Sequence, residues 1–306
     1  MAEHINLSAS TSPRSAARIL HSPMPSLPPI VLSFAASDPT GGAGLQADLL
    51  TLASMGCHPL TVVTALTVQD TRGLDDLLPT DSEWVVDQAR KLLEDMPVAA
   101  FKLGVLGSVE NITAIAEIIS DYPEVPVILD PVLATGRGDA LASDDMIVAL
   151  RELIVPQTTV LTPNSLEARR LAEEDEDEDD ASLDECATRL IGLGCEFVLI
   201  TGTHENTPEV VNTLYGEHGV VRSDRWKRLP GSYHGSGCTL ASAIAATIAN
   251  GLDIAEAVRE AQEYTWQALS HGFRPGMGQH LPDRFFWARE VENDASDERN
   301  GGREES

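Results

Sequence analysis

The chain has few basic residues and few cysteines for its length. Its 306 residues include 21 Lys+Arg against 48 Asp+Glu, which gives a net charge of -27 at pH 7. Nucleic acids and anionic membranes are bound by basic surfaces, so this charge balance argues against both as partners. The 4 cysteines show no Cys-x-x-Cys spacing. We therefore predict reduced thiols in a cytoplasmic protein.

Several other signatures are missing. No apolar run approaches the ~20 residues that a membrane-spanning helix needs. The first glycine-rich turn fits neither Gly-x-Gly-x-x-Gly nor a Walker A motif, whose lysine it lacks, and this argues against a dinucleotide site there. Residues 1–29 are rich in Ser and Pro and predict a disordered leader, and residues 293–306 predict a disordered acidic tail. Residues 30–292 remain as one domain with enough length for a full core.

Short apolar segments recur along that domain, and each ends in a polar or glycine-rich turn. Helical stretches separate them, and residues 67–73 read as a loop. This alternation predicts an α/β fold with a central, mostly parallel sheet flanked by helices on both faces. Ligands bind outside the carboxyl ends of the strands in such sheets, so we expect Asp38, Asp130, Glu167 and Cys238 to share one edge. The predicted strands cover residues 30–36, 60–64, 98–103, 126–129, 159–161 and 197–200.

A glycine loop over residues 231–237 leads into an Ala-rich helix that ends at Gly251. The first amide N–H groups of a helix lack intrahelical partners and the helix dipole favours negative charge there, so this junction suits an anion. Such a Gly-x-Gly sequence is more often a simple tight turn. Cys238 lies at the start of the helix, where we expect its thiol pKa to be lowered and the thiolate to be accessible.

Two further polar groups stand at predicted strand ends. Asp38 and Gln46 bracket a glycine-rich turn and suit a small hydrogen-bonding ligand, although a generic strand-to-helix turn is the alternative. Asp130 and Glu167 are each more often a helix cap or a solvated carboxylate. As a pair at neighbouring strand ends, they suit a Mg²⁺ ion held largely through waters.

Five ordered motifs together resemble the hydroxymethylpyrimidine kinase / phosphomethylpyrimidine kinase family of thiamine biosynthesis, within the ribokinase-like superfamily. The resemblance covers roughly residues 30–282 and implies a ribokinase-like fold with ATP and Mg²⁺ as cofactors. The motifs are Ser-Asp-Pro-Thr-Gly-Gly-Ala-Gly-Leu-Gln-Ala-Asp at 37–48, Lys-Leu-Gly-Val-Leu-Gly at 102–107, Asp-Pro-Val-Leu at 130–133, Thr-Pro-Asn-Ser-Leu-Glu at 162–167 and His-Gly-Ser-Gly-Cys-Thr at 234–239.

The resemblance implies a substrate pocket for an aminopyrimidine. Gln46 is then expected to read the edge of the ring. Asp38 and the glycine loop with Gly42 form the rest of that pocket, close to Val105. The implied partners are this small molecule and ATP, and relatives imply a homodimer.

The resemblance also implies the groups around the nucleotide. Asn164 and Glu167 match an Asn-x-x-Glu element associated with magnesium and phosphate, and Asp130 lies in the Asp-Pro-Val element beside it. Asp130 and Glu167 are the expected metal ligands. Asn164 and Thr201 are expected on the nucleotide side, with Thr201 at the place where many family members have a lysine.

The catalytic assignment follows the last motif. Gly235, Ser236 and Gly237 match an anion hole, and Cys238 stands where most sugar kinases of the superfamily carry an aspartate base. The implied reaction phosphorylates 4-amino-5-hydroxymethyl-2-methylpyrimidine to its monophosphate, and the monophosphate to the diphosphate. Alternatives are a pyridoxal kinase and a non-catalytic pyrimidine-binding module; a Rossmann oxidoreductase is disfavoured by the missing fingerprint.

The chain departs from the family pattern at three places. Thr203 replaces a common glycine, and Thr201 replaces the lysine near the phosphates. Transition-state charge is then expected to rest on the helix N-terminus, the magnesium ion and Arg137. A run of eight carboxylates at 173–180 is read as a solvated loop insertion.

Overall fold

The structure is a computed structural model that describes residues 27–135, 138, 140–173, 181–205 and 207–289. Four regions considered above lie outside the described residues: nearly all of the predicted leader, Arg137, all but the first residue of the acidic run, and the acidic tail. Among the described residues no helix is long and apolar enough to cross a membrane.

A single mixed sheet organises the described part of the chain. Its strands are β1 (Ile30–Ser37), β2 (His58–Asp70), β3 (Gly73–Pro79), β4 (Ala100–Leu103), β5 (Val127–Leu129), β6 (Val160–Leu161), β7 (Phe197–Thr201), β8 (Glu209–Gly216) and β9 (Gly219–Lys227). They lie in the order β3-β2-β1-β4-β5-β6-β7-β8-β9. Strands β2, β1, β4, β5, β6 and β7 run parallel to one another, whereas β3, β8 and β9 pair antiparallel with their neighbours.

Helices cover both faces of this sheet. They are α1 (Gly44–Ser54), α2 (Ser82–Leu93), α3 (Val109–Ser120), α4 (Asp144–Ala149), α5 (Ser165–Ala172), α6 (Leu183–Gly192), α7 (Ser236–Ala249) and α8 (Ile254–Ser270). Most begin at a residue whose side chain accepts a backbone N–H of the first turn, such as Ser108 before α3 and Asp253 before α8. These caps satisfy amides that have no intrahelical partner.

The strands bury side chains on both faces because successive residues point to opposite sides of a sheet. In β1, Leu32 and Phe34 belong to a core that includes α2, α3, α5 and α6. Val31, the residue before Leu32, belongs to a second core with α1, α7 and α8. Continuous apolar runs of this kind are typical of parallel strands covered on both sides. The predicted α/β fold with helices on both faces is confirmed.

One local prediction is wrong. Residues 67–73, read as a loop, are mostly strand, since β2 extends to Asp70 and turns directly into β3. The two strands pair with Asp70 opposite Gly73, and Asp70 accepts the backbone N–H groups of Arg72 and Gly73. The segment has the polar composition of a loop because this hairpin extends from the sheet edge with partly exposed side chains.

Candidate active site

The carboxyl ends of the parallel strands open into one cavity of about 850 Å³. This confirms that polar groups distant in sequence converge on one edge of the sheet. Gln46 and Gly42, however, do not line the cavity. The predicted site residues that do line it are Asp38, Val105, Asp130, Asn164, Glu167, Thr201, Gly235, Ser236, Gly237 and Cys238.

The N-terminus of α7 forms one wall. Gly235 precedes the helix with φ +79°, and a Cβ atom at this position would lie 1.9 Å from the carbonyl oxygen of Gly42. Only glycine therefore allows the loop before α7 to pack against the β1–α1 turn. Thr239 is the first α7 residue whose N–H bonds back to Gly235, at 3.0 Å. The earlier amides, at Ser236 to Cys238, have no intrahelical acceptor and belong to residues of the cavity wall.

Cys238 is almost fully buried at this wall, with 9% of its surface exposed. Its sulfur lies close to the backbone N–H of Gly44 and to the carboxylate of Asp130. Burial, followed by the negative charge of Asp130, raises the pKa of the thiol to about 12, although the Lys102 ammonium acts in the opposite direction. The expected lowering of this pKa by the helix N-terminus is therefore wrong, since desolvation outweighs the helix dipole.

Asp130 and Glu167 lie together at the ends of β5 and β6. Asp130 is 4% exposed, and its Oδ2 atom is buried without a hydrogen-bond partner. Burial raises the pKa of Asp130 despite the attraction of Lys102. Burial and then the charge of Asp130 raise the pKa of Glu167 to about 8. Two carboxylates that are costly to ionise side by side form a site that a cation stabilises.

Asn164 and Glu167 also have a structural role, as the capping box of α5. The Asn164 Oδ1 atom accepts the backbone N–H groups of Leu166 and Glu167 at 2.9 and 3.0 Å. The Glu167 Oε2 atom accepts the backbone N–H of Asn164 at 2.9 Å. Thr201 pairs with Asn164 at the end of β7, so both residues reach the same side of the cavity.

Asp38 organises the turn between β1 and α1. Its carboxylate accepts the Thr40 backbone N–H at 2.8 Å, the Thr40 hydroxyl at 2.9 Å and the Ala43 backbone N–H at 2.7 Å. The His234 Nε2 atom lies 2.9 Å from the same carboxylate. Burial alone would raise the pKa of Asp38, but the hydrogen bonds from His234, Thr40 and Ala43 hold it below its usual value.

The two predicted substrate residues outside the cavity wall also serve this turn. The Gln46 amide accepts the Asp38 backbone N–H at 2.8 Å and donates to the Ser37 hydroxyl at 3.0 Å. Gly42 is covered by other side chains, and a Cβ atom there would lie 2.5 Å from His234 and 2.6 Å from Leu281. Both residues therefore stabilise the β1–α1 turn without lining the cavity.

Three residues with no site role in the sequence analysis lie at the cavity. Gln69, near the end of β2, lines it and donates to the Thr67 hydroxyl at 2.8 Å. His234 lines it beside Asp38, and Lys102 lines it from the end of β4. Gln69 could have been found from the alternation of side chains that is typical of a strand. It was missed because residues 67–73 were interpreted as a loop. For His234 and Lys102 the signal was their presence in the quoted motifs.

The family described as phosphomethylpyrimidine kinase matches residues 38–283, which include every predicted site residue described above. The chain belongs to the phosphomethylpyrimidine kinase family. A hydroxymethylpyrimidine/phosphomethylpyrimidine kinase from Streptomyces coelicolor is 36% identical over 258 residues, which are 83% of this chain and 93% of that protein. The predicted family and kinase activity are thereby confirmed.

Solved structures of this family and of pyridoxal kinases share the fold. The phosphomethylpyrimidine kinase of Clostridium difficile superposes with a TM-score of 0.68 at 30% identity, covering 79% of this chain and 99% of that one. A pyridoxal kinase from Staphylococcus aureus, in complex with AMP-PCP and pyridoxal, gives a TM-score of 0.75 at 26% identity, covering 86% and 96%. The ribokinase-like architecture predicted from the sequence is therefore confirmed, and a nucleotide-using relative shares it.

Proposed function

We propose that this chain phosphorylates 4-amino-5-hydroxymethyl-2-methylpyrimidine with ATP and then converts the monophosphate to the diphosphate, in thiamine biosynthesis. The observation that carries the proposal is the single cavity in which the N-terminus of α7, with Cys238, faces Asp130 and Glu167. Such a cavity holds an acceptor alcohol and a nucleotide side by side, which is what phosphoryl transfer chiefly requires of a protein.

The residues of α7 supply the chemistry of the first step. The hydroxymethyl oxygen of the substrate attacks the γ-phosphorus of ATP, the bond from that phosphorus to the leaving oxygen of ADP breaks, and Cys238 takes the hydroxyl proton. The free amides from Ser236 to Cys238 hold the transferred group through its equatorial oxygens. The pKa of the Cys238 thiol, raised to about 12, must fall for this role. Neutralising Asp130 would remove one of its three causes, which are burial and the charges of Asp130 and Asp48, while the Lys102 ammonium and the Gly44 N–H still lower the pKa.

Asp130 and Glu167 fit a magnesium ion. The buried Oδ2 atom of Asp130 lacks a partner, and magnesium is bound through one or two carboxylates together with waters and substrate phosphates. When bound there, the ion would supply positive charge that offsets the negative charge of the ATP phosphates.

For the pyrimidine ring we assign Gln69 in place of Gln46. A primary amide offers both a donor and an acceptor, which match an amino group and its adjacent ring nitrogen. The Gln69 amide lines the cavity, whereas both polar atoms of the Gln46 amide are engaged within the β1–α1 turn. Val105 and Asp38 complete the wall on this side.

Pyridoxal phosphorylation is the second candidate, favoured by the likeness to the Staphylococcus aureus pyridoxal kinase. Pyridoxal also carries a hydroxymethyl group on a nitrogen-containing ring, so one cavity can accept either alcohol. The test is a coupled assay of ADP production with hydroxymethylpyrimidine, its monophosphate and pyridoxal. We expect the highest kcat/KM for the two pyrimidines. A higher value for pyridoxal would establish the second candidate, and no ADP from any acceptor would indicate a non-catalytic pyrimidine-binding module.

Two features of the protein stay predictions. The cytoplasmic location is supported by the four cysteines, all of which are buried free thiols. The homodimer is inferred from the family resemblance alone. Light scattering coupled to size-exclusion chromatography tests the dimer, and a mass near 32.8 kDa would contradict it.

A further inference from the structure

A buried carboxylate joins four elements of the fold behind the cavity. Asp48 of α1 and Lys102 of β4 are both 0% exposed, and the Lys102 Nζ atom lies 2.9 and 3.0 Å from the two Asp48 oxygens. The hydroxyl of Ser33, on β1, donates to Asp48 Oδ2 at 2.5 Å. The hydroxyl of Ser242, on α7, donates to Asp48 Oδ1 at 2.8 Å. The carboxylate is thus fully surrounded by donors.

Such an ion pair is poor evidence for stability in itself. Removing two charges from water costs free energy that their attraction only partly returns, and apolar replacements of similar size are often neutral or stabilising. The surrounding chain nevertheless leaves room for the ammonium group, because a Cβ atom on Gly104 would lie 2.9 Å from Lys102 Nζ. A role in positioning the residues of the active site therefore explains the Asp48–Lys102 ion pair better than a contribution to stability does.

Asp48 affects the active site through the packing of α1 against α7. Gly44 and Asp48 are one turn apart on α1, and Cys238 and Ser242 are one turn apart on α7, so each pair shares a helix face. Gly44 lies beside Cys238, and one turn later Asp48 accepts the Ser242 hydroxyl at 2.8 Å. A hydrogen bond therefore joins the two helices one turn beyond the proposed base.

We propose that Asp48, acting through Ser242, is a positioning residue of the kinase reaction. Its hydrogen bond fixes the rotation of α7 about the helix axis, so that the Cys238 sulfur and the amides of the first turn face the transferred phosphoryl group. Lys102 holds the Asp48 carboxylate from the opposite side. The inference rests on the proposed function, because it takes Cys238 as the base.

Two serines on the same carboxylate provide a matched comparison. Ser242→Ala and Ser33→Ala each remove one buried hydroxyl and one hydrogen bond to Asp48, so each lowers the unfolding free energy to a similar extent. Only Ser242 lies on α7. We expect Ser242→Ala to lower kcat by ~10-fold with KM for ATP and for the pyrimidine within ~2-fold, since small misplacements of a reacting group are costly. Ser33→Ala is expected to keep kcat close to the wild-type value.

A second measurement does not depend on turnover. The alkylation rate of Cys238 by iodoacetamide, read by peptide mass spectrometry, is expected to rise in Ser242→Ala and to stay near the wild-type rate in Ser33→Ala. Equal kcat values in the two variants, or equal alkylation rates, would overturn the positioning role. If the wild-type chain produced no ADP, the proposed function would fail, while the alkylation comparison would still decide this inference.

Discussion

Two aspartates at the same edge of the sheet are buried to nearly the same extent but have opposite surroundings. Asp38 follows β1 and is 1% exposed, and Asp130 follows β5 and is 4% exposed. Donors from Thr40, Ala43 and His234 surround the first carboxylate. The second has an oxygen without any hydrogen-bond partner.

This difference indicates that the Asp38 carboxylate has a structural role and that the Asp130 carboxylate is available to bind a ligand. Hydrogen bonds compensate the burial of Asp38 and hold its pKa low, while burial keeps the pKa of Asp130 raised. A native structure rarely leaves a buried polar atom unpaired without a functional reason. We therefore expect substitutions at Asp38 to affect mainly folding, and substitutions around Asp130 to affect mainly turnover.

Cys238 lies between the two regions, because its sulfur is close to the Gly44 N–H at the start of α1 and to the Asp130 carboxylate. We expect Cys238→Ala to lower kcat for the hydroxymethyl substrate by ~10²–10⁴, the usual cost of removing a positioned base, with pyrimidine binding close to normal. The monophosphate acceptor, with a second pKa of about 6, is already largely deprotonated at neutral pH, so its phosphorylation should lose less. Steady-state kinetics with both acceptors checks this, and a near wild-type kcat for the alcohol would remove Cys238 as the base.

Asp130→Asn is expected to lower kcat/KM for ATP by ~10²-fold, in the range seen when one preorganised electrostatic group is removed. The unfolding free energy should not fall, because the variant keeps the shape of the side chain and removes a charge that is incompletely paired. Urea titrations of the purified variant, beside the ADP assay, measure both quantities. A marked loss of stability with full activity would reverse the comparison.

Asp38→Asn should show the opposite result. The amide keeps one acceptor oxygen but replaces the other by a donor, which faces the donors of Ala43 and Thr40. We expect the unfolding free energy to fall by ~1–3 kcal/mol, the cost of leaving buried groups unsatisfied. Urea unfolding at neutral pH checks the value, with Asp130→Asn as the control of equal chemistry. Unchanged stability would show that the turn does not depend on this carboxylate.

Gln69 and Gln46 allow a finer test of the distinction between ligand-binding and structural residues. Gln69→Leu is expected to raise KM for hydroxymethylpyrimidine by ~10-fold, about the value of one or two hydrogen bonds to a ligand. Gln46→Leu should leave that KM nearly unchanged and lower stability, because its amide bonds only within the β1–α1 turn. Kinetics and unfolding of both variants decide between them. A KM effect confined to Gln46→Leu would restore the original assignment.

Much of the site could be predicted because parallel strands place their carboxyl ends together. Apolar runs at 30–36 and 126–129 fall on β1 and β5, and Asp38 and Asp130 follow them as expected. This inference needs only the strand pattern and the rule that ligands bind at such ends. Membership of the quoted motifs then located most of the other residues in the cavity wall.

What could not be predicted depends on packing between distant segments. The pKa of the Cys238 thiol is set by burial under elements far away in sequence, so a local rule about helix termini gave the wrong sign. The choice between Gln46 and Gln69 depends on which amide finds backbone partners, which only the folded turn decides. The hydrogen bond from Ser242 to Asp48 joins residues 194 positions apart, and no pattern in the sequence predicts it.

The smallest effect concerns pH and tests the origin of the Asp38 stabilisation. The folded-state pKa of Asp38 lies below its ordinary value of 3.8, so the carboxylate adds stability above about pH 4, and this stability is lost as the pH falls through the folded-state pKa. The difference in unfolding free energy between wild type and Asp38→Asn should therefore shrink as the pH is lowered from about 5 to below about 4. Urea titrations across that range measure it, and titration of the other carboxylates cancels in the difference. A difference that grew on acidification would mean that the neutral acid, and not the carboxylate, is the form that the hydrogen bonds of His234, Thr40 and Ala43 stabilise.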